Sequence, residues 1–512
     1  MYLKKAAVAI VLWLGSGLVT DAASPTPAPA GASESVTVHV ASGDLAGRVR
    51  DGIATYLGVP YAAPPVGDLR WRAPAPAPAW TGVRDASDFG ASCMQSELPS
   101  FTPPGSRAAT MSEDCLTLNV WTQAAGPQRR PVMVWLHGGG NIAGSGSSTY
   151  SNGIAFARDG IVLVSLNYRL GVVGFFAHRA LVAEAGAGDT ANFGLLDQIA
   201  ALRWVRANIA AFGGDPANVT LFGESAGGED AVLLAASPAA TGLFARAIAE
   251  SPADMWFRRP SLVRAEERSA AIATGLGLSG ASASATQLRA LPATALAKVN
   301  YEEQLGPIVD GRVLTADIVT ELAHGSRVPL VIGTNADDGS VIGDYNDMRI
   351  LFDDVRAQDL AAVQARYRAR GVPEVAVAHR LFTDSHFEVP ARWIAARTAA
   401  AGVPAYLYRF DYVASFLANR RPAASHGSEI PFVFASFPAQ WLTATDTAVQ
   451  EAMHGCWVAF ARTGTPVCPS APPWPAYDKH GGRVMDFAST PSVIDPGDDD
   501  VLDTLEPDFL TR

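Results

Sequence analysis

Neither Cys-x-x-Cys nor His-Glu-x-x-His occurs in the 512 residues, which removes the common zinc arrangements. No Gly-Lys-Ser or Gly-Lys-Thr follows the glycine-rich stretch at 138–140, so a phosphate-cradling P-loop is absent as well. Basic charge is scarce: 39 Lys and Arg stand against 50 Asp and Glu, a net charge of −11, which argues against a nucleic-acid partner. Beyond residue 18 no apolar run approaches the roughly 20 residues a membrane-spanning helix needs. There is no internal repeat. Cysteine is rare, with four residues in all. What remains is a chain with 48% apolar residues, ample material for the core of a globular fold that uses neither metal nor organic cofactor.

The chain opens Met1-Tyr2-Leu3-Lys4-Lys5, and Ala6 to Leu18 is almost wholly apolar. Small residues Thr20 and Ala22 precede a candidate cut. Residues 1–22 therefore read as an export signal, 23–34 as a Pro- and Ala-rich tether, and 35–512 as a single domain. The expected location is the periplasm or the medium, without stable membrane insertion once the signal is removed. The acidic run Asp495 to Asp503 reads as a solvated tail rather than a calcium site.

Gly223-Glu224-Ser225-Ala226-Gly227 is the most informative stretch. Asn218-Val219-Thr220-Leu221-Phe222 before it is β-prone, and Gly228-Glu229-Asp230-Ala231-Val232-Leu233-Leu234 after it has helical composition. A serine between small residues at a strand-to-helix joint is the arrangement of a nucleophile elbow, which lifts Oγ above the sheet edge. The helix that follows would aim its free amides at charge developing beside the serine. Upstream, the buried-strand run Pro131 to Leu136 leads straight into His137-Gly138-Gly139-Gly140. Glycines there let backbone N–H groups approach a ligand, so two of those amides and the Ala226 amide are candidate donors to an oxyanion.

A base and an acid should follow in the order serine, acid, histidine. Among His379, His386, His426, His454 and His480, the best placed is His426, in a loop of small residues beyond the strand-like Ala405 to Phe410; His386 is the runner-up. The acid is expected after Val328 to Thr334, at Asp337 or Asp338, a choice that sequence physics alone leaves open.

With these residues placed, the chain resembles the type-B carboxylesterase family, α/β-hydrolases that include carboxylesterases, cholinesterases and some lipases. The resemblance runs from Gly58-Val59-Pro60-Tyr61-Ala62 through Glu113-Asp114-Cys115-Leu116, the His137 glycine segment, Asn167-Tyr168-Arg169-Leu170-Gly171, Gly213-Gly214-Asp215-Pro216 and the Ser225 segment. It ends with Asn335 to Gly339 and His426-Gly427-Ser428-Glu429-Ile430-Pro431-Phe432. It implies a mostly parallel twisted sheet flanked by helices, a small N-terminal β-sheet, and a helical cap from loop insertions, for which Ser261 to Asn300 and Leu360 to Arg380 are candidates. It implies ester hydrolysis with Ser225 as nucleophile, His426 as base, Asp338 as acid and Gly139, Gly140 and Ala226 as oxyanion donors. A small-molecule ester is then the expected partner.

The resemblance further implies a Cys93–Cys115 disulfide, which leaves Cys456 for Cys468. Three departures from the family pattern stand out. Asp338 replaces the usual Glu. Glu229-Asp230 puts extra negative charge in the elbow helix, expected to raise the pKa of His426. Glu250-Ser251-Pro252 replaces Gln-Ser-Gly, which points to an altered acyl side of the pocket, where Trp256 and Phe257 would line the wall. Arg258 and Arg259 read as surface charges, with contact to an anionic acyl group as the sharper alternative. A lipase or amidase of the same fold is the enzymatic alternative, but Ser96 to Thr110 is mostly small and polar and offers no apolar lid. A non-catalytic binding module is disfavoured because serine, glycine loop, histidine and acid are all retained.

Overall fold

The computed structural model describes residues 34–95, 110–126, 129–186, 191–252, 259–303, 305–343, 355–478, 482–495 and 500–510. The expected signal and nearly all of the tether, together with Trp256, Phe257, Arg258 and His480, lie outside the described residues.

Fifteen strands are formed among the described residues. They are β1 (Glu34–Val40), β2 (Gly43–Arg50), β3 (Ile53–Pro60), β4 (Val83–Asp85), β5 (Ser92–Cys93), β6 (Met111–Ser112), β7 (Thr117–Gln123) and β8 (Arg130–Leu136). Then follow β9 (Val162–Leu166), β10 (Gly214–Glu224), β11 (Arg246–Glu250), β12 (Leu330–Asn335), β13 (Ala405–Phe410), β14 (Val484–Phe487) and β15 (Ser492–Ile494). Thirteen of them join one sheet in the order β1-β2-β3-β7-β9-β8-β10-β11-β12-β13-β14-β15, with β4 pairing β2; β5 and β6 pair separately. From β9 to β14 every ladder is parallel, and the pairings β1–β2, β2–β3, β3–β7, β7–β9 and β14–β15 are antiparallel. The expected small N-terminal sheet does not stand apart: the β3–β7 ladder carries it into the main sheet.

The parallel strands are apolar on both faces because both faces are covered. Along β8, Val132, Val134 and Leu136 face one core cluster while Met133 and Trp135 face the other. In the second cluster the ring of Trp135 lies 4.9 Å from both Phe222 and Phe434, and Phe156 closes the group at 5.3 Å from Phe434. Helices Phe193–Asn208 and Ala226–Ala236 supply the first cluster, and Ala444–Thr463 the second. That last helix starts in a full capping box, Thr443 with Asp446, and stops at left-handed Gly464.

The chain visits β8, steps outward to β9 and returns past β8 to β10. The loops leaving β8 and β10 therefore part at a topological switch point, where open α/β sheets place their ligand crevice. The candidate cap segments are helical, at Leu262–Gly275, Ala285–Arg289 and Ala293–Glu303 after β11, and Ala357–Ala369 and Val377–Phe382 after β12.

Cys93 is bonded to Cys115 and Cys456 to Cys468. In the chain-entropy account such bridges contribute roughly 2–4 kcal/mol each by restricting the unfolded chain. The acidic C-terminal run is not simply a solvated tail. From Asp500 onward it is a helix, Asp500–Leu510, whose Val501, Leu505 and Phe509 are buried while Asp500 pairs with Arg366 and Arg370, and Asp503 with Arg392. Its apolar stripe outweighs its charge.

Candidate active site

Strand β10 runs into helix Ala226–Ala236 through Ser225, whose backbone sits at φ 55° and ψ −125°. For a residue with a side chain this region costs about 1–3 kcal/mol and persists only where the surroundings enforce it. Enforcement comes from both sides. The Ser225 amide donates to the Glu250 carbonyl at 2.9 Å, and Gly227 packs so tightly against the Leu136 carbonyl that a Cβ there would collide with it. The bend lifts Ser225 beside Gly138, where a Cβ would approach the serine's own Cβ to 2.9 Å. Elbow and glycine loop are thus in contact.

In the loop after β8, Gly139 has φ 111° and Gly140 φ 62°. The Gly139 carbonyl accepts from the amides of Ile142 (3.1 Å) and Ala143 (3.0 Å), which turns the peptide over. Among the described residues the amides of Gly139, Gly140 and Ala226 donate to no protein group. His137 anchors the base of the loop: its ring stacks on Tyr168 at 4.4 Å, its Nδ1 lies 2.9 Å from the Gly138 carbonyl, and its own carbonyl accepts from the Tyr168 hydroxyl at 2.6 Å. Burial pushes the His137 imidazole down to about 4, so it is neutral at pH 7.

Of the two candidate acids, Asp338 is the one that meets His426. Its Oδ1 lies 2.7 Å from His426 Nδ1, while Oδ2 accepts from the Asn335 amide (2.7 Å) and the Ser251 hydroxyl (3.0 Å). Asp337 turns away to His379, Nδ1 to Oδ1 3.2 Å. Asp338 is the first residue of a 3-10 turn, Asp338–Ile342, and from there the Asp side chain reaches the imidazole without the extra methylene of a Glu. Three residues to which no sequence pattern pointed hold this corner. Ser340 Oγ accepts from the His426 amide at 3.0 Å, Thr383 Oγ1 accepts from the Gly339 amide at 2.8 Å, and Phe387 lies 5.2 Å from the imidazole ring. Thr383 and Phe387 belong to a π-helical turn, Thr383–Glu388, of the kind that tends to mark functional sites.

The other histidines are engaged elsewhere. His379 Nε2 reaches the Gly343 carbonyl at 2.7 Å; His454 spans the Val433 carbonyl and Asp159. His386 stacks on Phe382 with Nδ1 2.7 Å from Ser385 Oγ.

Among the described residues His426 Nε2 has no hydrogen-bond partner, and it lies 3.2 Å from Glu224 Oε1, in the residue preceding Ser225. Burial pulls the imidazole's proton affinity down, but Glu224, Asp338 and Glu429 outweigh it and push His426 up to about 9. The negative charge that acts on the histidine thus differs from the expected one. Asp230 accepts instead from Asn141 (3.2 Å) and Gln198 (2.5 Å), and Glu229 is paired with Arg259. Asp230 ties the glycine loop, through Asn141, to the elbow helix, and burial pushes it up to about 7 against those two hydrogen bonds. Arg259 is not the expected surface charge either; its side chain is only 11% exposed against Glu229, and desolvation pushes its guanidinium down to about 10.

The pattern of the carboxylesterase family matches residues 33–502. The chain is 38% identical to fumonisin B1 esterase of Sphingopyxis macrogoltabida, over 88% of this chain and 86% of that protein. It is 35% identical to para-nitrobenzyl esterase of Bacillus subtilis, over 85% and 91%. Among solved structures it superposes on the Geobacillus stearothermophilus carboxylesterase EST55 with a TM-score of 0.79 at 33% identity, covering 92% of this chain and 99% of that one.

Proposed function

On the premise that the chain belongs to the carboxylesterase family and is a carboxylic ester hydrolase of α/β-hydrolase fold, we propose that it works through an acyl-enzyme on Ser225. The observation that carries this reading is the commitment of His426: Nδ1 is held by Asp338 and Nε2 is left without a hydrogen bond, on the side of the elbow. Nε2 is the atom through which a triad histidine takes the serine proton, and such contacts tighten when substrate binds.

The reaction follows in balanced steps. Ser225 Oγ attacks the ester carbonyl carbon as its proton passes to His426 Nε2. The amides of Gly139, Gly140 and Ala226 hold the carbonyl oxygen while it is negative, and Asp338 stabilises the imidazolium. Collapse breaks the bond to the alkoxy group, which leaves with the proton from Nε2. Water then adds to the acyl-serine by the same route, its proton going first to Nε2 and then to Ser225 Oγ, and the carboxylic acid departs.

Ser225→Ala is expected to abolish p-nitrophenyl acetate and butyrate hydrolysis to below about one part in 10⁴ and to eliminate labelling by a fluorophosphonate. Residual labelling at another residue would move the nucleophile and undo the reading. Export to the periplasm or the medium is supported by the charged-then-apolar start of the sequence and by two disulfides, a modification typical of oxidising compartments. The corresponding result is a mature N-terminus close to residue 23 in the periplasmic or extracellular fraction. Full-length protein retained in the cytosol would contradict it.

A further inference from the structure

Beside the imidazole lies a cluster of buried carboxyl groups that the ester mechanism does not use. Glu224 and Glu250 are register partners at the ends of the parallel strands β10 and β11, so their side chains leave the sheet side by side on one face. The same row continues through Gly333 on β12 to Tyr408 on β13. Gly333 is what lets the Tyr408 ring lie across the row, since a Cβ there would strike the ring itself. Glu429, from the loop that carries His426, completes the group; Glu250 and Glu429 are fully buried and Glu224 is 5% exposed.

Two of the carboxyls have one oxygen satisfied and one that is not. Glu250 Oε1 accepts from Trp457 Nε1 at 2.7 Å, and Glu429 Oε2 accepts from Asn335 Nδ2. Among the described residues Glu250 Oε2, Glu429 Oε1, Glu224 Oε1 and the Tyr408 hydroxyl have no hydrogen-bond partner. Glu250 Oε2 and Glu429 Oε1 meet no donor and Glu224 Oε1 faces only the imidazole, so three buried neighbouring carboxyls cannot all be ionised: like charges forced together away from water put a proton onto one of them. A proton on one is also the donor the others lack. The groups that act on Glu250 from the elements around it are Glu429 in the loop after β13, the Trp457 N–H on helix Ala444–Thr463, Glu224 on β10 and Tyr408 on β13, while Asp338 and His426 lie beyond them, against Glu224 and Tyr408. Among them the cation is the His426 imidazolium, which already lies against Glu224 and Asp338.

We propose that Glu250 is a positioning residue that stands as a neutral carboxylic acid, donates a hydrogen bond from Oε2 to the Glu224 carboxylate, and so competes with the His426 imidazolium for that carboxylate. Two observations select Glu250 rather than its register partner Glu224 as the proton carrier. Among the described residues it has no contact with a cation, whereas Glu224 lies 3.2 Å from the imidazole, and it is the more deeply buried of the two. Burial, reinforced by Glu429, pushes its carboxyl well above the usual range against the Trp457 N–H. The consequence runs through the acidic limb of kcat/KM, which reports protonation of the free enzyme's base. A donor to Glu224 stabilises that carboxylate more when His426 is neutral than when the imidazolium shares it. Removing the donor therefore raises the affinity of the Glu224–His426 pair for a proton, and the limb moves up.

The inference rests on the triad reading, and the test keeps the two apart. Glu250→Gln retains an acceptor for Trp457 and a donor for Glu224, so the acidic limb should stay in place. Glu250→Met retains the bulk without the donor, so the limb should rise by about one pH unit with KM unchanged. A residue that only filled space would change stability without moving the limb. Infrared spectra at pH 7 give a readout independent of catalysis: the wild type should show a protonated carboxylic C=O band that is lost in Glu250→Gln. A downward shift in Glu250→Gln would mean that Glu250 is ionised, and an unmoved limb in a folded Glu250→Met that it does not act through Glu224. An infrared band identical in wild type and Glu250→Gln would overturn the proposal too. If Glu250→Met does not fold, the glutamine variant and the infrared band decide. Fluorophosphonate labelling of Ser225 in each variant shows separately whether the triad reading stands.

Discussion

Asp338→Asn should lower kcat by about 10⁴-fold with little change in KM or melting temperature, while Asp337→Asn should cost no more than a few-fold. The difference follows from where the donors are. Asp338 Oδ2 accepts from the Asn335 amide and the Ser251 hydroxyl. An asparagine must present its carbonyl oxygen to those two donors, which turns its NH₂ toward His426 Nδ1. The imidazole then has to accept at Nδ1 and carry its proton on Nε2, the tautomer that cannot take a proton from Ser225. Asp337 meets His379 rather than His426, so the same change there leaves the tautomer alone. Steady-state kinetics on a p-nitrophenyl ester, with a thermal melt to confirm folding, makes the comparison. Equal losses at the two positions would mean that the Asp338–His426 hydrogen bond is not the functional one.

Gly139→Ala is the second large effect, an expected fall in kcat of about 10³-fold. At φ 111° no L side chain is comfortable, and the added Cβ would be driven into the Ala143 carbonyl. The loop cannot yield freely, because the Gly139 carbonyl is the acceptor for both Ile142 and Ala143 and because Asn141 is tied to Asp230. Strain is relieved by rotating the peptides that carry the Gly139 and Gly140 amides, and each oxyanion donor lost is worth about 10²–10³ in kcat. Substrate affinity should change little, since these amides matter when the oxygen is negative. A variant that folds and keeps more than about a tenth of wild-type kcat would show that the oxyanion is held elsewhere.

Much of this site was legible in one dimension because its pieces are short and local. The strand–serine–helix joint at Ser225, the glycines after β8 and the small-residue loop at His426 each declare themselves within a few residues. The choice between Asp337 and Asp338 rested on a resemblance, since two adjacent aspartates differ only in the direction a turn gives them. Glu229 and Asp230 misled for a related reason. They are near Ser225 along the chain, yet helical rotation carries them to Arg259 and to Asn141 and Gln198. Glu224 touches His426 although its place in the elbow motif gives no hint of it. Glu250, read as a change in the acyl side of the pocket, joins the buried carboxyl cluster because strand register aligns it with Glu224. Register between strands is a property of the assembled sheet, and no local pattern in the sequence encodes it.

Ser225, Ser251, Asp338 and His426 lie in the segments that follow four neighbouring strands, β10 to β13 in turn. A polypeptide truncated anywhere short of residue 426 would possess the reactive oxygen and still be inert, however well its first half had condensed. On refolding, turnover through the proposed triad therefore requires all four strands to be docked together, and its regain is a clock for the slowest of them rather than for the first.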